Sequence, residues 1–238
     1  MVVTAAAARR AGRISVIDAA WGAALAAVAL TCALLGDSEP VRRWLLVGLV
    51  AAWGLRLSRH IYTRSRGKGE DPRYEKLLAT GPGGAVRKVY APQGLAIWFV
   101  SLPLQVAAVA DGSLGVLAWV GVALWLVGVV FESVGDAQLA AYKRNPDRAP
   151  VMDRGLWGWT RHPNYFGDAC VWWGLWLVAA DVWPGVLTVL SPVAMTYFLV
   201  FATGARLLEA TMMKRPGYPE YAEHTSMFFP LPPRARSH

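Results

Sequence analysis

The sequence predicts an all-α integral membrane protein, a bundle of six transmembrane helices with cytoplasmic loops and short C-terminal helices. Three observations predict this fold. The 238 residues are 55% hydrophobic and the mean hydropathy is +0.33, which is typical of membrane proteins. The apolar residues form runs of about 20, the length at which a helix crosses a hydrocarbon core. Lys and Arg are concentrated in alternate loops.

Taken in chain order, the apolar runs predict six spans within one domain that covers residues 1–238. The first run contains no clear cleavage site, so we expect a retained helix rather than a signal peptide. Short loops alternate with long polar segments, so the sequence complexity lies on one side of the bundle. The expected spans are residues 14–35, 41–60, 91–110, 114–133, 165–180 and 183–204.

The positive charges indicate an orientation. Of the 24 Lys and Arg residues, 22 lie before the first span, in the last residues of the second span or in the long segments, and only Arg42 and Arg43 lie on the other side. The positive-inside rule then predicts a protein of the cytoplasmic membrane with both termini in the cytoplasm. We assign the net charge of +8 to topology and to membrane lipids, and not to nucleic acid, because the basic residues border spans. No protein partner is indicated.

The stretch DRGLWGWTRHPNYFGD places charged and amide side chains directly before the fifth span. Pro163 is a natural first helical residue, so the free N–H groups of the next turn point toward Arg161 and His162. A helix N-terminus beside an arginine suits a phosphate. Asn164 and Asp168 are one turn apart, which predicts an amide and a carboxylate facing a ligand. The alternative is an interfacial cap in which Arg161 reaches a lipid phosphate.

Two further positions carry carboxylates at membrane depth. Glu132, Asp136 and Lys143 have spacings of four and seven residues, so they share one face of the fourth span and its extension. Asp18 lies inside the first span. Such carboxylates are costly and are functional candidates by default. The alternatives are an internal ion-pair network for Glu132 and Asp136, and a hydrogen bond between helices for Asp18.

A basic segment follows the second span. RSRGKGEDPRY, which begins at Arg64, interleaves cations with glycines, so Arg64, Lys68 and Arg73 are candidates for closing over a polyanion such as a cofactor phosphate. A charge run is more often a solvated face, which is the alternative for this segment.

Aromatic residues follow the sixth span. Arg206 and Glu209 leave that span and are followed by PGYPEYAEHT, which contains Tyr218 and Tyr221. Tyrosine rings beside an arginine can stack on a nucleobase or another ring of a cofactor, so we count Arg206, Glu209, Tyr218 and Tyr221 as candidates for contacting one. Anchoring of the tyrosines at the membrane interface is the alternative.

Common cofactor and metal motifs are absent from the sequence. It contains no GxGxxG after a strand, no Walker loop, no HExxH and no CxxC, so any nucleotide binds outside a Rossmann domain. The four His have no paired spacing, and Cys32 and Cys170 lie inside apolar runs. We therefore expect neither a metal site nor a disulfide framework.

Several motifs together resemble those of steroid 5-alpha-reductases and sterol reductases, in particular a bacterial branch catalogued as a domain of unknown function. They are DxxWG from Asp18, GLRLxxHI followed by RGKGEDPRY, ExxxDxQLxxYK from Glu132, and GLWGWTRHPNYFGD with Tyr218 and Tyr221 downstream. The set covers most of the chain. RHPNY alone is shared with isoprenylcysteine and phospholipid methyltransferases.

The resemblance implies a single transmembrane reductase-like domain that binds NADPH in a cytoplasm-facing cavity. The implied activity is that of an oxidoreductase acting on CH-CH groups in lipid metabolism, which reduces an activated C=C bond of a sterol-like or unsaturated lipid enone. The residues to which the resemblance assigns cofactor contacts are Lys143, Trp157, Arg161, Asn164, Tyr165, Asp168, Arg206 and Tyr218.

The chain departs from the resembling reductases at two points. They have seven spans where six are predicted here, and the Gln-Glu pair that animal steroid enzymes use near the substrate carbonyl has no counterpart. Asp18 and Glu132 are our catalytic candidates in its place. An S-adenosylmethionine-dependent lipid or isoprenylcysteine methyltransferase is the alternative function, although the paired Glu usual in those enzymes is here Glu209 followed by Ala210. A non-catalytic lipid-binding or assembly protein is a third interpretation.

Overall fold

The computed structural model describes residues 6, 8, 10, 13–67, 69, 70, 86–202 and 204–233. Every regular element in these ranges is a helix, which confirms the all-α prediction for this part of the chain. The chain divides into two compact units, Met1–Leu114 with Ala179–Thr188, and Gly115–Val178 with Val189–His238. The single-domain interpretation stays a prediction.

Within the residues that the structure describes, the first unit contains four α-helices. Glu39 caps the second of them, because its side chain accepts the Arg42 N–H at 3.0 Å. The third and fourth are separated at Ser101, two residues before Pro103, which has no N–H to continue a helix. The elements are α1 (Val16–Leu35), α2 (Pro40–Ser65), a π-helical turn (Val86–Tyr90), α3 (Ala91–Val100) and α4 (Leu102–Ala107).

Helices α1 and α2 meet at a pair of glycines. A methyl group added at Gly22 would lie 2.1 Å from the Gly54 carbonyl oxygen, and one added at Gly54 would lie 2.4 Å from that of Gly22. Small residues are what allow helix backbones to approach closely in a membrane. Trp53 beside this contact is fully buried.

A buried arginine lies in the first turn of α2. The Arg42 side chain is fully buried, and its guanidinium donates to the carbonyl oxygens of Gly112 and Ser113, both at 2.8 Å. Asp181 lies 3.4 Å from the same guanidinium. Charge-assisted bonds to backbone carbonyls therefore fix the turn after α4.

The second unit contains the longest helix described. Its elements, together with the short 3₁₀ turn Gly185–Val189 of the first unit, are α5 (Val116–Arg144), a 3₁₀ turn (Gly155–Gly158), α6 (Pro163–Ala180), α7 (Leu190–Tyr197), a π-helical turn (Phe198–Ala202), α8 (Ala205–Met212) and α9 (Tyr218–His224).

Helices α5 and α6 pack through two tiers of glycine. A methyl group at Gly121 or Gly174 would lie 2.6 Å from the carbonyl oxygen of the other, and the same holds at 2.5 Å for Gly128 and Gly167. From the first tier to the second, the residue number rises by seven along α5 and falls by seven along α6. The two helices are therefore antiparallel and touch every second turn. Backbone thus packs on backbone along this interface.

In the described part of the chain, three helical segments are long and apolar enough to cross a membrane: Val16–Leu35, Val116–Arg144 and Gly185–Met212. They overlap the first, fourth and sixth expected spans and support a membrane protein. The total of six spans and the side of the termini stay predictions. The expected boundaries need correction at 91–110, which forms two short helices, and at 114–133, where the helix continues to Arg144.

Candidate functional site

The loop that precedes α6 is fixed on one side by the end of α5. Gly155 has φ 62°, a left-handed conformation that favours glycine, and a methyl group there would lie 2.4 Å from the Gln138 side chain. Gln138 Oε1 accepts the Leu156 N–H at 3.0 Å, and the Trp157 indole donates to the Gly135 carbonyl at 3.0 Å. Two residues of α5, one turn apart, therefore hold the start of the loop.

The same loop is fixed on another side by the C-terminal strap, which we define as residues 218–231. The Tyr221 hydroxyl donates to the Trp157 carbonyl at 2.5 Å. The Thr160 hydroxyl donates to the Phe228 carbonyl at 2.9 Å. These bonds join segments about 65 residues apart in the chain, so the loop and the strap form one polar layer before α6.

Arg161 connects this layer to α8. Its Nε and Nη2 donate to the two carboxylate oxygens of Glu209 at 2.6 and 2.9 Å, a bidentate ion pair. Its Nη1 donates to the carbonyls of Ala222 and Thr225 at 2.8 and 2.5 Å, at the C-terminal end of α9. Four of the five guanidinium N–H donors thus have protein acceptors. The expected phosphate contact of Arg161 stays a prediction.

Glu209 also contacts a histidine and a tyrosine. His162 Nε2 lies 3.2 Å from Glu209 Oε1, and the Tyr218 hydroxyl donates to that oxygen at 3.5 Å. The His162 ring stacks on Tyr165 with 5.3 Å between ring centroids. His162, Glu209 and Tyr218 are each at most 9% exposed, so this polar group is largely shielded from solvent.

The surroundings keep Arg161 charged and the tyrosines protonated. Burial opposes the charge on Arg161, but the hydrogen bonds and charge of Glu209 outweigh it and raise the pKa of Arg161. Burial, followed by the negative charge of Glu209, raises the pKa of Tyr218 to about 12. Burial also raises the pKa of Tyr221. Both hydroxyls therefore remain hydrogen-bond donors at neutral pH.

The first two turns of α6 present the amide and carboxylate that the sequence predicted there. Asn164 is partly exposed, and its side-chain amide makes no hydrogen bond to any residue within the described ranges. Asp168, one turn further, is buried at 9% exposure. Asn164 is thus available to a ligand at the helix N-terminus, where the first N–H groups have no intrahelical acceptors.

An aromatic cluster that the sequence reasoning did not identify anchors the strap. Phe166 of α6 packs edge-on against Phe131 of α5 at 5.1 Å and against Phe228 of the strap at 6.0 Å. The sequence signal for this cluster is the pair of adjacent aromatic residues in the segment SMFFP, which follows α9. Its partners lie about 60 to 100 residues earlier in the chain, and no local pattern predicts that pairing.

Other predicted residues of the second unit lie apart from this cluster or have a packing role. Lys143 is exposed near the end of α5, and Arg206 is exposed with its guanidinium 4.5 Å from the Phe201 ring centroid. Glu132 is buried. It lies where α5 meets α6, since a methyl group added at Gly167 would be 2.8 Å from the Glu132 backbone nitrogen. A catalytic role for Glu132 stays a prediction.

The remaining candidates belong to the first unit. Asp18 lies in the first turn of α1 and is partly buried, and Arg64 lies exposed in the last turn of α2. Lys68 and Arg73 fall outside the described residues. The cofactor and catalytic roles of these four stay predictions.

The cluster provides hydrogen-bond donors and acceptors, a bidentate ion pair and aromatic faces. Among the described residues, no group of three or more His, Cys, Asp and Glu side chains is arranged to hold a metal ion. Hydrogen-bonding groups and aromatic faces of this kind suit the binding and orientation of a polar organic molecule.

Comparison with known proteins gives one family. A model described as protein of unknown function, DUF1295, matches residues 5–226, so the chain belongs to that family. No curated protein and no solved structure matches the chain. The expected membership of a family of unknown function is confirmed, and the relation to steroid and sterol reductases stays a prediction.

Proposed function

We propose that this member of the DUF1295 family is an NADPH-dependent membrane reductase of an activated C=C bond in a hydrophobic substrate, such as a sterol-like or unsaturated lipid enone. The observation that carries the proposal is the hydrogen-bonded cluster before α6. It joins six residues that were expected to contact the cofactor and that come from three separate segments of the chain: Trp157, Arg161, His162, Glu209, Tyr218 and Tyr221.

Residues of the second unit suit the polar half of NADPH. Asn164 offers an amide without a protein partner in the described ranges, suited to pair with a carboxamide or a ribose hydroxyl. Phosphates need cations, and Lys143 and Arg206 are exposed in the same unit. The stacked rings of His162 and Tyr165 offer an aromatic face.

The close packing of α5 and α6 limits where a ligand can bind. Gly128 and Gly167 bring the two backbones into contact, which leaves no room for a cofactor between these helices. A molecule held by Asn164 must therefore lie against another face of α6. The exposed apolar surfaces of α5 and α7, with Leu126 and Leu190, suit a lipid environment from which an apolar substrate can arrive.

The chain's own residues would hold the reactants and move a proton. NADPH, when bound, supplies a hydride to the β carbon of the enone. Arg161 and Glu209 keep the loop before α6 fixed, which favours a constant distance between the reacting atoms. Tyr218 retains its proton because its pKa is raised to about 12, so its hydroxyl remains the hydrogen-bond donor to Glu209. Asp18 and Glu132 stay the candidates for the proton source.

A comparison of cofactors on the purified protein tests the proposal. A ligand that binds only the folded state stabilises it, by about 2.7 kcal/mol at a concentration one hundred times its Kd. We expect NADPH to raise the unfolding temperature and S-adenosylmethionine to leave it unchanged. Stabilisation by S-adenosylmethionine alone would replace the reductase with a methyltransferase, and stabilisation by neither would favour the non-catalytic interpretation.

One observation favours the methyltransferase as the second candidate. Four of the N–H donors of Arg161 are already bonded to Glu209 and to the end of α9, which leaves this arginine little capacity for a phosphate. S-adenosylmethionine carries no phosphate. The reductase is preferred because the segments that resemble reductases cover most of the chain, whereas RHPNY alone is shared with methyltransferases.

A further inference from the structure

Glu209 is a shared acceptor for groups from two other segments, the loop before α6 and α9. It sits on α8 at 9% exposure. Its Oε2 accepts Arg161 Nη2 at 2.9 Å, and its Oε1 accepts Arg161 Nε at 2.6 Å and lies 3.2 Å from His162 Nε2. The Tyr218 hydroxyl donates to Oε1 from α9. Both carboxylate oxygens are therefore engaged by the protein itself.

This engagement does not suit direct contact with a cofactor. A carboxylate repels phosphate, and the capacity of Glu209 to accept bonds from a ribose hydroxyl is reduced by the three groups that already face it. The bidentate geometry instead sets the orientation of the Arg161 guanidinium, whose Nη1 closes the end of α9 through Ala222 and Thr225.

We propose that Glu209 is a positioning residue, which acts on cofactor affinity only by holding Arg161 and His162 beside the first turn of α6. This inference rests on the proposed NADPH site. Without the carboxylate, the Arg161 guanidinium loses two of its four hydrogen-bond acceptors, and the loop before α6 loses its ion pair with α8. Asn164, two residues after His162, would then no longer be held at a fixed position.

A cycle of substitutions measures the role of Glu209. Calorimetry with NADPH would compare the unchanged protein with Glu209→Gln, Arg161→Ala and the double variant. We expect Glu209→Gln to weaken binding about tenfold, the size expected for a hydrogen bond to a charged group. In the Arg161→Ala background the same change should have less than about a twofold effect, because Glu209 acts through Arg161. Equal effects in both backgrounds would overturn the proposal and make Glu209 a direct contact.

Two controls keep the result interpretable. Glu223→Gln alters an exposed carboxylate of α9 and should leave the Kd for NADPH within about twofold. Arg161→Lys keeps the charge but loses the fork, and we expect it to weaken binding as much as Glu209→Gln does. If Glu209→Gln does not fold, full affinity in Arg161→Lys would overturn the proposal on its own.

Hydrogen exchange separates this proposal from the proposed function. We expect Glu209→Gln to accelerate amide exchange in peptides covering residues 155–164 and 218–231, with no change in α1 or α2. If the unchanged protein binds no NADPH but these peptides lose protection, the reductase proposal fails and the positioning of Arg161 by Glu209 stands. Unchanged protection in both peptides would contradict the positioning role, whatever the cofactor.

Discussion

The two units each contain an arginine buried among hydrogen-bond acceptors, and the acceptors differ. Arg42 of the first unit is fully buried and donates to the backbone carbonyls of a turn, with one carboxylate at 3.4 Å. Arg161 of the second unit is about 10% exposed in its side chain and forms a bidentate pair with Glu209 at 2.6 and 2.9 Å.

The difference indicates different roles for the two cations. Carbonyl acceptors from one turn, as for Arg42, close that turn inside a fully buried site. Acceptors from α8 and α9, as for Arg161, hold a loop whose next residues include the partly exposed Asn164. We therefore assign Arg42 to stability and Arg161 to the site, and the following changes test that assignment.

The largest expected effect follows from Arg42→Ala. Removing this buried cation takes one donor away from the carbonyls of the turn and from Asp181, which costs about 3–5 kcal/mol of unfolding free energy. Denaturant unfolding in detergent would measure this loss, with the exposed Arg148→Ala as the control. A loss below about 1 kcal/mol for Arg42→Ala would remove the contrast between the two arginines.

A methyl group between α5 and α6 should have the next largest effect. Gly128→Ala or Gly167→Ala places a methyl group 2.5 Å from a carbonyl oxygen, and overpacking of this kind costs about 1–3 kcal/mol. Gly48→Ala is the matched control, because no atom lies within 4 Å of its added methyl group and alanine favours the helix. We expect a lower unfolding temperature for Gly128→Ala and Gly167→Ala than for Gly48→Ala. Equal unfolding temperatures would mean that α5 and α6 are not in contact there.

Removing one hydroxyl from the strap should have a smaller effect. Tyr221→Phe loses the bond to the Trp157 carbonyl, worth about 1 kcal/mol. We expect faster proteolysis or amide exchange of the strap and little change in α1. Tyr62→Phe, at an exposed ring of α2, is the control. Identical protection in the two variants would show that the Tyr221 bond does not hold the loop.

The smallest expected effect is a dependence of stability on alkaline pH. Burial and Glu209 raise the folded-state pKa of Tyr218 from 10.0 to about 12. A raised folded pKa contributes stability that is complete below pH 10 and is lost as the pH rises through about 12. Unfolding followed across this window should therefore show a steeper decline for the unchanged protein than for Tyr218→Phe. Parallel curves would contradict the burial of the Tyr218 hydroxyl beside Glu209.

Local patterns predicted the helical class and the motif at the start of α6. Pro163 begins α6 as expected, and Arg161 lies in the loop before it. The sequence predicted a span at 91–110 but not the break in the helix at Ser101, ahead of Pro103. Hydropathy averages over a window, whereas one missing N–H interrupts a helix at a single residue.

The partners of the motif could not be predicted from spacing. Glu209 was expected to face a cofactor, and the structure gives it Arg161 and His162 as partners from 48 and 47 residues away. The glycine tiers of α5 and α6 were likewise not anticipated, because glycines in an apolar run do not reveal which helix they face. These features depend on tertiary contacts, which a single sequence contains only indirectly.

Calorimetric titration of the purified protein with NADPH tests the central claim most directly. The claim is that Asn164 and Asp168 at the start of α6 contact this cofactor. We predict saturable binding that is lost in Asn164→Ala and in Asp168→Asn, and retained in Asn145→Ala and Asp147→Asn, which change exposed residues after α5. Unchanged affinity in both α6 variants, or no binding to the unchanged protein, would contradict the account.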